Sequence, residues 1–562
     1  MRPSDAKEPK VTWRALPRKD QLLLLTLTRL SEPLTQSSLQ SYMFYQLKSF
    51  DPSLPDSAIS AQAGMMQSAF TAAQFLTAIA WGRAADSEYM GRKNVIMIGL
   101  LGTSISALGF GFSRHFATAV AFRLVGGALN GNVGVMRTMI SEIIKERRYQ
   151  SRAFMILPMT FNIGVIIGPV LGGLLADPIN SYPQLFGPNS RFGGTDGVGW
   201  MRTWPYALPN IVSAMFLFTA VLCVILGLEE THEVRRQKRD RGLHFGRFLK
   251  RVITCRLGRA EHQYSSLPNT SSFISDAYEI EDVELQNNSS SHPDQGPGVT
   301  SKPPSKQRLP FSRIWTRNVI TTLISHGIMA MHVGTFSNLW FVFLSTSRWD
   351  PAHPSPPSHT AQRFPVNFTG GLGLPPAKIG LALSILGFIG IVLQVSLYPY
   401  LSGTWGTVRT YRGSLFLFPL AYLVTPYLAL IPSTTSPPNA ASGIAIWAGI
   451  VAVLIVQVMA RTFALPGGVI LVNNSCPHPS VLGTLHGVAQ SVSSATRTIG
   501  PIVGGLLLGL GLDIGKVGLA FWVLMGVAMV GACVGLFVKE GSGREIWLEG
   551  DDDGESKSES VR

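Results

Sequence analysis

Apolar stretches of about 20 residues recur along the whole chain, and short polar connections separate them. A helix of that length crosses the hydrocarbon core of a bilayer and satisfies its own backbone hydrogen bonds there. The pattern therefore predicts an all-α, polytopic membrane protein. A membrane β-barrel would show short segments of alternating hydrophobicity instead, and the sequence does not have them. The twelve predicted spans are residues 21–46, 58–81, 95–113, 116–140, 153–176, 204–228, 316–345, 377–400, 413–432, 442–466, 484–510 and 517–538.

A long polar segment divides the predicted spans into two groups of six, which predicts two helical bundles. The segment is basic between Arg235 and Arg259, and we expect this part to rest on the anionic inner leaflet. Its remainder is rich in Ser, Asn and acidic residues, a composition typical of a disordered linker. The predicted domains are a cytoplasmic tail (1–20), a first bundle (21–228), the central loop (229–315), a second bundle (316–538) and an acidic tail (539–562).

The distribution of Lys and Arg predicts the orientation, because cytoplasmic loops carry an excess of both. If both termini are cytoplasmic, the cytoplasmic segments hold 33 of the 47 basic residues, the outer loops hold 7 and the spans hold 7. The net charge of +14 therefore indicates membrane topology, and we expect no nucleic-acid partner. This topology also places the sequon at Asn367 in the outer loop 346–376, where it would be glycosylated.

Composition excludes several other kinds of site. Charged residues make up 14% of the chain, against about a quarter in a typical globular domain. The four cysteines are scattered without a CxxC pair, so we expect neither a disulfide framework nor a zinc site. The chain has no Walker A phrase and no nucleotide fingerprint, so we expect no cofactor, no ATP hydrolysis and no enzyme activity.

The two halves share short phrases at nearly constant spacing. Span 5 contains "IGPVLGG" and span 11 contains "IGPIVGG" at an offset of 332 residues, while Arg123 and Arg461 are 338 residues apart. Duplication explains two such pairs better than chance does, and parallel six-helix repeats are the plan of major facilitator transporters. The second-half positions that the repeat selects are Arg461, Arg497, Gly500, Pro501, Gly504 and Gly505.

The loop between spans 2 and 3, within "WGRAADSEYMGRKNV", carries five charged residues in eleven positions. It resembles the major facilitator signature G-x-x-x-D-x-x-G-[RK]-[RK], with two extra residues between the acid and the second glycine. The resemblance implies a cytoplasmic latch in which Asp86 caps the start of span 11 near Gly483–Leu485, worth roughly 0.3–1 kcal/mol. Arg92 would pair with Glu142, and both contacts would break when the inward side opens. The alternative is a plain positive-inside loop. The latch residues are Gly82, Asp86, Gly91, Arg92, Lys93 and Glu142.

Span 5 contains "GVIIGPVLGG", which matches G-x-x-x-G-P-x-x-G-G, the core of the fifth-helix motif of drug:proton antiporters. One upstream glycine of the longer form is replaced by Met155. Glycines four residues apart let another helix approach closely, and the proline removes a backbone hydrogen bond and bends the helix. The alternative is ordinary GxxxG packing. The motif residues are Gly164, Gly168, Pro169, Gly172 and Gly173.

Span 1 carries charged residues where a membrane helix rarely has them. Each costs roughly 2.5–3.5 kcal/mol near the middle of a span, so such residues face an interior cavity and are functional by default. Arg29 and Glu32 are three residues apart and can pair, and Gln36 and Gln40 continue the same face. The stripe predicts a cavity wall in which Glu32 could carry a proton. The alternative is a structural ion pair.

Two stretches, "RLSEPLTQSSLQSYMFYQLKSF" and Val472–Gly505, resemble the zinc-induced-facilitator-like group of the superfamily. The resemblance implies proton-coupled export of organic or metal-chelating solutes, with Arg123 at the family's fourth-helix arginine, which is associated with proton coupling. It does not make zinc the substrate, because His326, His332 and His486 form no evident ligand cluster. We expect no bound metal.

The leading hypothesis is therefore a multidrug-efflux type of secondary transporter that exchanges small amphipathic molecules for protons. Its expected partners are substrate, protons and lipid. We expect a monomer, in the plasma membrane rather than the vacuolar membrane. One alternative is transport of a nutrient, ion or metal chelate, including uptake. The other is a non-transporting membrane sensor that signals through the central loop.

Overall fold

The computed structural model describes residues 17–144, 147–232, 234–253, 309–354, 356–359, 361–478, 481–541 and 545–546. The described residues are mostly helical, and apart from two isolated bridges they contain no β-structure. The helices of the first half are α1 (Lys19–Gln40), α2 (Met43–Phe50), α3 (Asp56–Ala85), α4 (Gly91–Gly111), α5 (Phe116–Leu129), α6 (Asn132–Ile143), α7 (Arg147–Leu175), α8 (Pro178–Ser181), α9 (Pro183–Phe186), α10 (Gly199–Thr203) and α11 (Ala207–Gly227). After α12 (Arg241–Ile253), the second half has α13 (Arg317–Ser345), α14 (Pro376–Trp405), α15 (Thr407–Leu415), α16 (Leu417–Val424), α17 (Ile444–Asn474), α18 (Leu482–Asp513) and α19 (Leu519–Gly535).

The all-α membrane class predicted from the sequence is confirmed. Within the described residues, seven helices are long and apolar enough to cross a membrane. The number of twelve spans and the cytoplasmic position of both termini stay predictions. The division into two bundles and the extent of the central loop stay predictions too, since most of residues 229–315 lie outside the described part.

Two predicted spans are broken in the structure. Span 4 consists of α5 and α6, which meet at Asn130 in an extended conformation. Asn favours such interruptions because its side chain competes for local backbone hydrogen bonds. Span 9 consists of α15 and α16, followed by a 3-10 turn, Thr425–Leu430, with Pro426 near its start. A proline is tolerated in a first turn but cannot continue a helix already formed.

Two pairs of helices bring the halves together. Helix α3 packs along α18, and α7 packs along α14, while α1 lies against α7 and α13 lies against α18. By the density of its contacts, Met1–His244 with Leu309–Trp547 forms one compact unit. The second unit, Phe245–Arg308 with Leu548–Arg562, is described only for residues 245–253.

The halves meet most closely at the end that carries the 51–55 connection, which the sequence predicts to be extracellular. The hydrophobic core there contains large buried aromatics from both halves, among them Tyr42, Phe44, Phe336, Trp340 and Phe343.

Three hydrogen bonds join described residues of the two halves. Tyr45 Oη donates to Leu374 O at 2.5 Å, and Ser347 N donates to Asp56 Oδ2 at 2.8 Å. Nearer the middle, Thr498 Oγ1 donates to Thr71 Oγ1 at 3.2 Å. All three lie at the predicted extracellular end or near mid-helix, so the structure is closed on that side.

Candidate functional site

The charged residues of span 1 form one buried cluster. Arg29 Nη1 donates to Glu32 Oε2 at 2.7 Å, and both side chains are about nine-tenths buried. Asn130 Nδ2 donates to the other carboxylate oxygen of Glu32 at 2.6 Å. The break between α5 and α6 therefore has a chemical consequence, because it presents Asn130 to the only carboxylate within the predicted spans.

The next residue of the stripe reaches the predicted fourth-span arginine. Arg123 Nη1 donates to Gln36 Oε1 at 2.8 Å, and its guanidinium lies 4.8 Å from the centre of the Phe70 ring. A cation over an aromatic face is attracted by the ring quadrupole. Arg123 is buried, and no carboxylate forms an ion pair with it among the described residues. The structure thus places Gln36 and Arg123 together inside the first bundle.

The last residue of the stripe, Gln40, lies elsewhere. It lines a cleft between the two halves together with Phe336, Trp340 and Arg461. Arg461 interacts electrostatically with Arg497, whose aliphatic part lies beside Gly334 of α13. The five predicted cavity residues therefore occupy two places: Arg29, Glu32, Gln36 and Arg123 inside the first bundle, and Gln40 at the interface.

The glycines of span 5 form the surface on which α1 rests. A Cβ atom at Gly168 would lie 2.4 Å from Leu34 O, and one at Gly172 would lie 2.2 Å from Ser38 O. A Cβ at Gly164 would meet Leu34 N at 2.9 Å. Because these neighbours are backbone atoms, only glycine permits this approach. Serines in and just after α1 complete the seam: Ser37 Oγ donates to Gly164 O at 3.0 Å, and Ser41 Oγ donates to Pro169 O at 2.8 Å.

The second half repeats this seam with matching partners. Gly500 and Gly504 would place a Cβ 2.2 and 2.5 Å from the side chain of Thr335 on α13. The last glycine of each phrase faces the opposite half, since Gly173 approaches Pro376 O and Gly505 approaches Ser60 O. The geometry supports the internal repeat that the two phrases indicate.

The prolines of the two phrases occupy equivalent crossings between the halves. A Cβ at Gly380 of α14 would lie 2.2 Å from Pro169 O, and a Cβ at Gly64 of α3 would lie 2.2 Å from Pro501 O. Each crossing thus pairs a proline carbonyl with a glycine of the other half. Small residues of this kind allow membrane helices to pack at backbone distance.

The charged loop between α3 and α4 is bound by Glu230, a residue outside the signature. Glu230, which follows α11, accepts hydrogen bonds from Arg92 N at 3.2 Å and Lys93 N at 3.1 Å. An anion at these free amides satisfies the start of α4 and complements the helix dipole. Gly91 has φ +69°, and a Cβ there would lie 2.5 Å from Glu230 Oε2. The glycine of the signature therefore makes room for the capping carboxylate.

Lys93 is almost fully buried and joins the same loop to the chain that leads into α12. Its Nζ donates to Ile225 O at 3.0 Å and to Asp240 Oδ2 at 2.7 Å. Burial raises the pKa of the Asp240 carboxyl, but the hydrogen bonds from Lys93 and from Leu243 N outweigh it, so the pKa lies below its ordinary value. The Asp240 carboxyl group therefore stays ionised at neutral pH.

Of the two predicted latch contacts, the described part of the structure has the pair of Arg92 with Glu142 but not the contact of Asp86 with α18. Arg92 Nη2 lies 2.7 Å from Glu142 Oε1, inside the first bundle. The exposed carboxylate of Asp86 lies 3.5 Å from Arg92 Nη2. Among the described residues, that carboxylate makes no hydrogen bond to the start of α18 while the predicted extracellular end is closed. Gly82 meets open space, with no other atom within 4 Å of an added Cβ.

His332 of span 7 and His486 of span 11, at which the sequence predicts no metal, have separate hydrogen-bond partners. His332 is buried and shares a hydrogen bond of 2.9 Å with Tyr422 Oη, whereas His486 Nε2 lies 3.4 Å from Asn473 Oδ1. Within the described part of the chain, no group of three His, Cys, Asp or Glu side chains could hold a metal ion. Asn367 has an exposed side chain, and its backbone pairs with Arg363 in a tight turn.

Sequence reasoning missed Asn130 and Glu230. The "ALNGNVG" phrase in the middle of span 4 was the available signal for Asn130, because Asn-Gly marks a turn. Glu230 lies 138 residues from the amide that it caps, and nothing local in the sequence indicates this pairing.

Comparisons with known proteins agree with this geometry. The family model described as Major Facilitator Superfamily matches residues 34–353. The chain is 32% identical to "Major facilitator superfamily multidrug transporter mfsB" of Aspergillus fumigatus, over 96% of this chain and 84% of that protein. It is 26% identical to "Protein ZINC INDUCED FACILITATOR 1" of Arabidopsis thaliana, over 85% of this chain and 82% of that one. The solved "Crystal structure of D-xylose-proton symporter" has the same fold, with a TM-score of 0.58 at 13% identity, over 94% of this chain and 99% of that one.

Proposed function

The chain belongs to the Major Facilitator Superfamily, and from this premise we propose that it is a proton-coupled antiporter that exports small amphipathic organic molecules. It is an integral, multi-pass membrane transporter and not an enzyme. The family resemblance and the multidrug relative support transport of small molecules. Exchange for protons, outward direction and the plasma membrane as its location are our inferences.

The observation that carries the proposal is the buried Glu32 cluster. Glu32 is the only acid within the twelve predicted spans, and a carboxyl group is the simplest proton carrier that such a chain can place there. Its two oxygens are held by Arg29 and Asn130. Burial of the carboxylate is tolerated because both oxygens have partners.

Protonation of Glu32 would change those partners. A neutral carboxyl group no longer balances the charge of Arg29, and its new O–H needs an acceptor that the ionised group does not require. Because Asn130 stands at the junction of α5 and α6, a change at Glu32 acts directly on the place where span 4 is interrupted. This is the route by which proton binding would shift the packing of the first bundle.

The two glycine seams supply the moving surface. In each half a proline-containing helix rests on its neighbour through glycines, against the backbone of α1 in the first half and against the side chain of Thr335 in the second. Rocking of one bundle against the other about such interfaces is how many transporters expose a central site alternately to the two sides. The exporting direction rests on the match of span 5 to the antiporter motif.

The test is efflux from cells that express the chain. Cells are loaded with a panel of fluorescent amphipathic compounds, and retention is followed with and without a protonophore. We expect protonophore-sensitive efflux of several compounds. We also expect Glu32→Gln to lower it at least about ten-fold, the loss expected when a positioned proton-transfer group is removed. The matched control is Asp51→Asn, since Asp51 is an exposed acid of the predicted outer loop.

Three results would contradict the proposal. Undiminished efflux in Glu32→Gln with equal surface expression would remove Glu32 from the mechanism. Accumulation of compounds instead of efflux would favour the alternative of uptake. Normal solute flux with loss of a signalling response after deletion of residues 254–308 would favour a sensor.

A further inference from the structure

The interior of the spans has an excess of positive charge. Within the predicted spans, five arginines lie at least five residues from a helix end, against the single carboxylate of Glu32: Arg29 in α1, Arg123 in α5, Arg137 in α6, Arg461 in α17 and Arg497 in α18. Arg29 is paired with that carboxylate. Buried charges are ordinarily paired, because an unpaired one is costly in a medium of low polarity.

Arg461 lines the cleft between the two halves, and Arg497 lies near it in the second half. Among the described residues, neither makes a hydrogen bond or an ion pair with an acid, and each repels the other. Arg497 has an exposed side chain, whose aliphatic part lies beside Gly334 of α13. Arg461 is half-buried and lines the cleft at the interface.

A second observation concerns the indole of Trp340 in the same cleft. Trp340 is 1% exposed, and its Nε1–H is buried with no acceptor among the described residues. An indole N–H is a donor only, and a buried donor without a partner costs about 1–3 kcal/mol. The guanidinium of Arg461 and the indole N–H of Trp340 thus give the cleft two donor groups that need an acceptor.

The walls of the cleft are aromatic. Phe336 stacks on Trp340 with ring centroids 5.7 Å apart and on Tyr422 with centroids 4.8 Å apart. Pro169 and Leu383 close the remaining sides with apolar surface. Such a site takes an apolar or aromatic body, while its few polar groups fix the orientation of the ligand.

We propose that the cleft binds an organic anion, with its carboxylate or other oxyanion on Arg461 and the N–H of Trp340, and its apolar body against Phe336. Arg497 adds a second positive charge behind Arg461. A neutral or cationic ligand would leave both arginines without a counter-charge. This inference rests on the proposed function and narrows its substrates from amphipathic molecules in general to anionic ones.

The test compares compounds that share one body and differ in charge. Binding of 4-phenylbutyrate, 4-phenylbutyramide and 4-phenylbutylamine, and of the same three derivatives of naphthalene, is measured on the purified full-length protein in detergent. We expect the carboxylates to bind more tightly than the amides, and the amines to bind most weakly. Efflux of the same compounds from loaded cells is measured in parallel.

Variants locate the effect. Arg461→Gln should lower affinity for the carboxylates about ten- to 100-fold, the scale of a lost charge-assisted hydrogen bond, and leave the amides unchanged. Arg461→Lys should retain part of the preference, because it keeps the charge but loses the forked geometry. Trp340→Phe should modestly lower the affinity for both the carboxylates and the amides, because it removes the indole N–H that donates to their oxygen atoms. Arg363→Gln, in an exposed loop, is the matched control.

Equal or tighter binding of the amides or amines would overturn the inference, as would an unchanged carboxylate preference in Arg461→Gln. The two measurements distinguish a failure of the anion site from a failure of the proposed function. If amphipathic compounds leave the cell in a protonophore-sensitive manner but anions are not preferred, only the anion site is wrong. If nothing is exported while the purified protein still selects carboxylates, the anion site stands and the proposed direction or coupling is wrong.

Discussion

The two crossings between the halves give the sharpest structural prediction, because each leaves no room for a single methyl group. A Cβ atom would lie 2.2 Å from Pro501 O at Gly64, and 2.2 Å from Pro169 O at Gly380. The obstructing atoms are main-chain carbonyls within helices, so no change of rotamer relieves the clash. For Gly64→Ala or Gly380→Ala, the helices must separate by about 1.2 Å to restore an ordinary contact of 3.4 Å.

The cost falls on one conformation of the transporter. Overpacking of this kind costs typically about 1–3 kcal/mol. It is present while the halves touch at the predicted extracellular end, and it is relieved when that end opens. The ratio of the outward-open to the outward-closed state should therefore rise about five- to 150-fold, since each 1.4 kcal/mol is a factor of ten.

The assay is a distance measurement across the predicted extracellular end. Spin labels on cysteines introduced at Ser53 and Asn439, both exposed, report the separation of the halves by double electron–electron resonance in a background without native cysteines. Gly64→Ala and Gly380→Ala should each populate a longer distance.

Gly526→Ala is the control for these variants. Gly526 lies within α19, and an added Cβ there meets no atom within 4 Å, so the distance distribution should be unchanged. Wild-type distance distributions in both crossing variants, or an equal shift in the Gly526→Ala control, would refute the reasoning.

Two further predictions follow from the loop and the sequon. Glu230→Gln removes the anion at the start of α4 and should lower the free energy of unfolding of the purified protein by about 0.3–1 kcal/mol. Asp86→Asn should leave the free energy of unfolding unchanged, because the Asp86 carboxylate contacts only Arg92 among the described residues. It should instead shift the equilibrium between the two conformations toward the inward-open one. An equal loss of stability in both variants would contradict this distinction. Asn367→Gln should remove the glycan in a eukaryotic host and increase electrophoretic mobility, and unchanged mobility together with resistance to a glycosidase would contradict an outer position for this loop.

The features that local sequence determines could be predicted. Hydrophobic length indicated membrane helices, and the Gly-Pro phrases in spans 5 and 11 indicated close packing because only glycine permits backbone contact. The contact of Arg29 with Glu32 followed from their spacing on one helix face.

What could not be predicted depends on chain segments that meet only after folding. Glu230 caps a helix that begins 138 residues earlier, and Asn130 reaches Glu32 across 98 residues. The stripe of span 1 was expected to face one cavity, but the structure divides it between the bundle interior and the interface. A helix face predicts which residues share a direction, and the packing of neighbouring helices decides what each one meets.

Proton movement in proteoliposomes tests the central claim most directly. The purified protein is reconstituted with a pH-sensitive dye inside the vesicles, and an inward or outward gradient of an exported compound is imposed without a membrane potential. The account predicts that the compound gradient drives protons in the opposite direction, and that Glu32→Gln abolishes this movement. Substrate flux without any proton movement, or with protons moving in the same direction, would contradict proton-coupled antiport.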